Sequence, residues 1–336
     1  LLFVSTVPFG ESLALLAALG AIRNGFKNAF ITAAASSGAV ELFSAYRLAD
    51  ETIDLGLMEK SGDGAAVSSL VRTIKLLRTV RRRRFDLIVD CAPRVGTQLL
   101  ALFSRGKTVV PIVRLPDLVD DLLGGKHGRR TRIEAASASI IRQLELTPLP
   151  DAARFQPGPE VSARIEESLR KQGFRGGAPL ILLYSNDPGS PKAWPPARFI
   201  EVGSRLAANY GVRVVILDRP YESKLTNAIA AAMPRETIKL RAPRALEVIG
   251  ALARASLVVT DDAGVARFSS RLGTATIDIG STSQKSSDGI PGLRAGRPAG
   301  KRPAGVKGGL LASGEDVYQV ACTMLQASRT AVLFEN

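Results

Sequence analysis

Short apolar runs alternate with stretches of helical periodicity from the first residue onward, and the whole alternation occurs twice. LLFVST is followed by a helical stretch over 11–24, then AFITAA, a second helical stretch to about Leu48, and ETIDLG. A basic helical stretch near 65–83, the run DLIVD at 86–90, another helix and KTVVPI at 107–112 complete the first series. Strands separated by that much helix cannot be joined as hairpins; they pair in parallel, with each helix crossing back over the sheet. After a Pro-rich stretch over 148–159, a helix at 161–172 and the pair Gly176-Gly177 lead into PLILLYS, VRVVILD, TIKL, SLVVTDD and TATIDIG. Helices from Pro196, Tyr221 and Ala245 and a short one before TATIDIG separate these runs. At 336 residues the chain exceeds one ordinary core, since single cores stop growing at about 250–300 residues. The expectation is an α/β protein with two Rossmann-like, doubly wound domains in tandem, 1–155 and 176–313, and a closing helix over 314–336 that leans toward the first domain.

Composition removes several classes of function. Cys91 and Cys322 are the only cysteines, too few for a disulfide framework or a thiolate metal site, which favours a reducing cytoplasm. No apolar run approaches the roughly 20 residues that cross a bilayer, and the opening residues carry no charged leader of an export signal. A soluble, cytoplasmic protein is expected. The net charge of +14 suits nucleic acid, anionic lipid or phosphorylated substrate. Nucleic acid is the weakest of these, because aromatics are only 5% and no RNA-reading motif appears. No G-x-G-x-x-G follows a strand, which argues against a dinucleotide oxidoreductase. Residues 290–310, rich in Gly, Pro, Arg and Lys, cannot bury much apolar surface and read as a mobile basic loop.

Open parallel sheets bind ligands at the carboxyl ends of their strands, where loops and helix N-termini converge. Four polar segments stand at such ends. Gly10 and Glu11 follow the first strand; Glu11 either does chemistry or complements the helix dipole. Residues 185–195 (SNDPGSPKAWP) bring Ser190 and Lys192 just before a helix; the lysine is a phosphate ligand or a solvated loop cation. Glu222 opens a helix after VRVVILD, where capping alone would explain it. Asp261 and Asp262, followed by Ala263, Gly264 and Val265, form the fourth segment, whose simplest role is an Asp N-cap. The two adjacent carboxylates should diverge, and no D-x-D pair is placed as a divalent-metal clamp.

Taken together, Gly10-Glu11, PGSPKAWP at 188–195, RPYE at 219–222 and VVTDDAG at 258–264 followed by RLGTAT resemble glycosyltransferase family 9, the heptosyltransferases of lipopolysaccharide inner-core assembly, over roughly residues 1–285. The resemblance implies a GT-B fold whose two domains face a central cleft. It also implies an inverting, metal-independent transfer from a nucleotide-diphosphate sugar, ADP-heptose by family habit, to a hydroxyl of an anionic glycolipid. No cofactor is implied, and the enzyme would be a monomer peripheral to the inner face of the inner membrane. Carried over by position, Glu11 stands at the catalytic base, Lys192 at the phosphate lysine and Glu222 at the nucleoside acid. Asp262, Ala263 and Gly264 stand at the D-S/T-G turn that wraps the donor. The departing diphosphate would meet Lys192, the turn amides and Arg267. Three departures accompany the match: Glu11 is one methylene longer than the family aspartate, Ala263 lacks the hydroxyl, and Arg267 replaces the family histidine, His127 being the only histidine. They motivate a second reading, a catalytically weakened GT-B pseudo-transferase that binds nucleotide or a partner. The basic run ending in Arg81, Arg82, Arg83 and Arg84 is read as facing acceptor and anionic membrane, with a solvated helix end as its simpler explanation.

Overall fold

The computed structural model describes residues 1–5, 9–55, 81, 85–91, 108–110, 139–147, 155–185, 193–218, 223–242, 244–281, 292–296 and 313–334. Two units emerge, Leu1–Pro150 and Asp151–Asn336.

In the first unit the elements run β1 (Leu2–Val4), α1 (Phe9–Gly25), β2 (Thr32–Ala35), α2 (Ser37–Ala45), β3 (Glu51–Asp54), β4 (Leu87–Asp90) and β5 (Thr108–Val110). They form a five-stranded sheet in the order β3-β2-β1-β4-β5, every pair parallel. β1 and β2 are buried throughout while edge strand β3 is only partly covered. Inner strands of a doubly wound sheet have both faces covered, so they read as unbroken apolar runs with no polar alternation. Leu2 and Val4 gather Ala34, Phe85 and Ile88 on one face. Phe3 meets Phe43 of α2 edge-on, with ring centroids 5.7 Å apart. At the opposite end of the strands Arg23, in the last turn of α1, donates to the carbonyls of Leu48 (3.3 Å) and Ala29 (3.1 Å) and to Asp50 Oδ2 (2.6 Å). The Ile31 amide donates to the same oxygen at 2.7 Å, so one guanidinium and one carboxylate tie α1 to the starts of β2 and β3.

The second unit contains α3 (Pro159–Lys171), β6 (Leu180–Tyr184), α4 (Pro196–Tyr210), β7 (Arg213–Asp218), α5 (Ser223–Ala232), β8 (Ile238–Arg241) and α6 (Ala245–Arg254). It continues through β9 (Leu257–Thr260), α7 (Ala263–Arg271), β10 (Ala275–Ser281), β11 (Gly292–Gly296) and α8 (Gly314–Phe334). Its six-stranded sheet runs β11-β10-β9-β6-β7-β8. Without β11 this is the strand order of the first unit again. α4 starts with Pro196, whose missing N–H costs nothing in a first turn, and stops at Gly211, held at φ 59°, a left-handed conformation that glycine adopts without strain.

The structure adds to three of the expectations. α3, left between the two domains by the sequence reading, belongs to the second unit: Val161, Ile165 and Leu169 bury one stripe of it. Gly250 of α6 lets it approach, since a Cβ there would lie 2.9 Å from both Val161 Cγ1 and Ile165 Cγ1. α8, expected as a closing helix, buries Val317, Tyr318, Ala321, Cys322, Met324 and Leu325 in one core with Phe199, Val202 and Ile277 of the second unit. Magnitudes decide its place: each buried large apolar side chain is worth about 1.5–3 kcal/mol, whereas the Arg205–Glu315 pair at its edge is half-exposed and solvent screening leaves such pairs little weight. Finally, β11 lies inside the stretch read as a mobile basic loop and pairs antiparallel with β10, Ile277 opposite Ala295 and Asp278 opposite Arg294. The composition argument weighed side-chain burial alone, but an otherwise open edge strand offers backbone donors and acceptors to any chain that can extend beside it. The rest of 290–310 lies outside the described residues.

Candidate functional site

In the second sheet β6 lies between β7 and β9, and the chain order reverses across the β6–β9 pair. Tyr184 is opposite Thr260 at the carboxyl ends of these two strands, so the segments that follow leave the sheet as neighbours at a switch point. Such points open a crevice at the carboxyl edge of a doubly wound sheet.

The acids after β9 part there. Asp262 is the N-cap of α7: its Oδ1 accepts from the amides of Gly264 at 2.8 Å and Val265 at 3.0 Å, and its own amide donates to Thr260 Oγ1 at 3.0 Å. Its neighbour Asp261, only 3% exposed, turns the other way and accepts the amide of Trp194 through Oδ2 at 2.7 Å. The Trp194 ring is itself buried and stands edge-on to Phe199 of α4, centroids 4.8 Å apart. A buried carboxyl group is costly unless donors meet it, and the Trp194 amide is such a donor.

The capping geometry alters one expectation. Of the amides of the Asp262–Gly264 turn, read as donors toward a diphosphate, that of Gly264 is engaged by Asp262 Oδ1 together with the next amide, that of Val265. The short turn DDAG supplies its own anion and occupies them. Arg267 is half-buried on α7, one turn beyond the cap. The side chain of Ala263 lies outside the described atoms.

At the carboxyl end of β7, Asp218 is 5% exposed and pairs with Lys239 of β8, Nζ to Oδ2 at 3.2 Å. Glu222, four residues on, lies outside the described residues, as do Ser190 and Lys192 of the segment that ends at Trp194. In the first unit α1 begins at Phe9, so Gly10 and Glu11 sit within its first turn, whereas the sequence reading began the helix at Glu11. The Glu11 carboxylate lies outside the described atoms. Arg81 is exposed; Arg82, Arg83 and Arg84 are outside the described residues. The buried carboxylate at the end of β4, Asp90, precedes Cys91, whose thiol is pushed well above its ordinary value by burial and, next, by the Asp90 charge. Cys91 is therefore a protonated, packed thiol and no nucleophile. Among the described residues no group of three His, Cys, Asp or Glu side chains could hold a metal ion, and no helix is long and apolar enough to cross a membrane.

Sequence reasoning noticed Asp261 only as half of an acidic pair. The signal was present: one acid suffices to cap a helix, so a second one directly behind an unbroken apolar strand requires a different partner.

No family model and no curated protein matches the sequence. Solved structures do match the fold. A glycosyl transferase family 9 structure from Veillonella parvula superposes with a TM-score of 0.62 at 16% identity, covering 83% of this chain and 80% of that one. E. coli heptosyltransferase WaaC, solved with ADP-2-deoxy-2-fluoro heptose, gives 0.60 at 17% identity over 98% of both chains. E. coli ADP-heptose LPS heptosyltransferase II gives 0.59 at 18% identity, covering 97% of this chain and 99% of that one. Identity this low speaks for the fold: the chain resembles glycosyltransferase family 9 structures along most of its length, as two Rossmann-like units of the GT-B type.

Proposed function

We propose that this protein is a glycosyltransferase that takes a sugar from a nucleoside-diphosphate donor held at the carboxyl edge of the second sheet. The observation that carries the reading is the switch point between β6 and β9, where the segment following Lys192 is fastened beside the first turn of α7. Its support is the fold shared over nearly the whole chain with a heptosyltransferase solved with a fluorinated ADP-heptose, together with the order of Gly10-Glu11, Lys192, Glu222 and Asp262 along the sequence. The donor on this reading is a nucleotide-diphosphate sugar, ADP-heptose first among candidates, and the acceptor an anionic glycolipid hydroxyl. The enzyme would work as a monomer at the cytoplasmic face of the inner membrane, drawn there by Arg81 to Arg84.

The proposed step is an inverting displacement without a metal. The acceptor oxygen attacks the anomeric carbon as the bond to the diphosphate breaks, and Glu11 takes the acceptor proton as that bond forms. Lys192 and Arg267 neutralise the charge that accumulates on the leaving diphosphate, a duty concentrated on side chains because Asp262 occupies the amides of Gly264 and Val265. Glu222 takes the nucleoside. The test is sugar transfer from a panel of nucleotide sugars. Glu11→Gln should leave donor affinity intact and lower turnover by about 10²- to 10⁴-fold; turnover at the parent rate would reject Glu11 as the base.

The occupied cap amides, with Arg267 at the family histidine, also favour a second reading, a GT-B protein that binds nucleotide without turning it over. Nucleotide binding with no transfer from any donor in the panel is the outcome that selects it.

A further inference from the structure

We infer that Asp261 is a positioning residue of the donor site, fixing through the Trp194 amide the end of the segment that carries Lys192. The inference rests on the donor-site reading above and names a residue which that reading leaves without a role. Tyr184 and Thr260 are register partners, so Asp261 emerges beside the start of the segment and Trp194 marks its return. The bond between them is short, 2.7 Å, and buried, and a carboxylate acceptor makes it stronger than a neutral one would. Trp194 is clamped by its ring against Phe199 as well. The residue two places after Lys192 is thus held by both backbone and side chain. Asp262 has different work, its Oδ1 accepting from the first turn of α7. A buried acid at this edge would not attract a diphosphate directly. The contribution of Asp261 is to fix where the segment that carries Lys192 rejoins the fold, at Trp194.

Trp194 is the single tryptophan of the chain, so ¹⁵N-tryptophan labelling of the full-length protein yields one backbone amide signal, and fluorescence reports one ring. The Trp194 amide should exchange slowly with solvent in the parent protein; exchange at the rate of an unprotected amide overturns the inference without any variant. In Asp261→Ala, which removes the acceptor, emission should shift to the red. The affinity for ADP should fall about five- to tenfold, the scale of one net hydrogen bond, with adenosine affinity unchanged. Asp261→Asn keeps an acceptor oxygen and should restore both properties to near the parent values. Parent-like emission and ADP affinity in Asp261→Ala, or equal losses for ADP and adenosine, would contradict the assignment. Should the parent protein bind neither ligand, the donor-site reading fails and the positioning role falls with it, while amide exchange and emission still report separately whether Asp261 holds Trp194.

Discussion

The strand beside the centre of the first sheet reads Thr-Ala-Ala-Ala, and its counterpart in the second sheet reads Arg-Val-Val-Ile-Leu-Asp. Both lie next to the first strand of their unit, in sheets of the same order. Alanine methyls bring little apolar area, while each buried Val, Ile or Leu is worth about 1.5–3 kcal/mol. The first unit supplements its slim strands with the Phe3–Phe43 contact and the Arg23–Asp50 tie. The second draws α3, α4, α6 and α8 against bulky strands and adds β11 to its edge. Strand order therefore follows from the alternation of strands and crossover helices, which the units share, and not from side-chain bulk, in which they differ. Each unit keeps a buried acid at its switch point, Asp90 at the end of β4, which pairs with β1, in the first sheet and Asp261 beyond the β6–β9 pair in the second.

The largest expected effect falls on the bulk of the second unit. Phe199 lies under Trp194 and inside the core that α8 completes. Phe199→Ala should cost about 3–5 kcal/mol in denaturant unfolding, with a red shift of tryptophan emission. A loss below about 1 kcal/mol would mean that apolar packing is not what distinguishes this unit.

A smaller change asks whether α3 belongs there. Alanine normally improves a helix over glycine by about 1 kcal/mol, but at Gly250 the added methyl would crowd Val161 and Ile165. Gly250→Ala should lower stability by about 1–3 kcal/mol, as overpacking does. A rise in melting temperature would separate α3 from the second unit.

The polar tie of the first unit should give the least. Arg23→Met removes three hydrogen bonds, one to a charged partner, for which about 1.5–3 kcal/mol is usual. The low end applies because the Asp50 side chain is 38% exposed, where screening weakens ion pairs. Burial raises the Asp50 carboxyl, but the Arg23 hydrogen bond, the Ile31 amide and the Arg23 charge outweigh it and hold the group below its ordinary value of 3.8. A depressed carboxyl contributes stability that is fully present above its unfolded value and is lost as pH falls through the folded one. The gap between parent and variant should thus stay level at neutral pH and narrow below pH 3.8. A gap that widened in acid would reverse the assignment.

Both sheets were legible in the sequence because parallel strands buried on two faces leave unbroken apolar runs, and DLIVD or SLVVT can be read by eye. α3 and α8 were legible as helices but not as parts of a unit, since an apolar stripe such as Val161, Ile165 and Leu169 says that a face is buried without saying against what. β11 was hidden because backbone pairing leaves no mark on composition. At the candidate site Asp262 was read as a donor ligand with a helix cap as the simpler alternative, and its Oδ1 caps α7. The role of Asp261 was not foreseen, because its partner is a main-chain amide 67 residues away in sequence, and an amide has no residue type to read.

The central claim, that the second unit holds a nucleoside diphosphate with Lys192 on its phosphates, is tested most directly by calorimetry with ADP and adenosine on the parent protein and on Lys192→Ala. A charge-assisted contact is worth about 1.5–3 kcal/mol. The account predicts that the variant binds ADP about ten- to a hundredfold more weakly and adenosine as the parent does; equal affinities of parent and variant for ADP, or equal losses for both ligands, would contradict it.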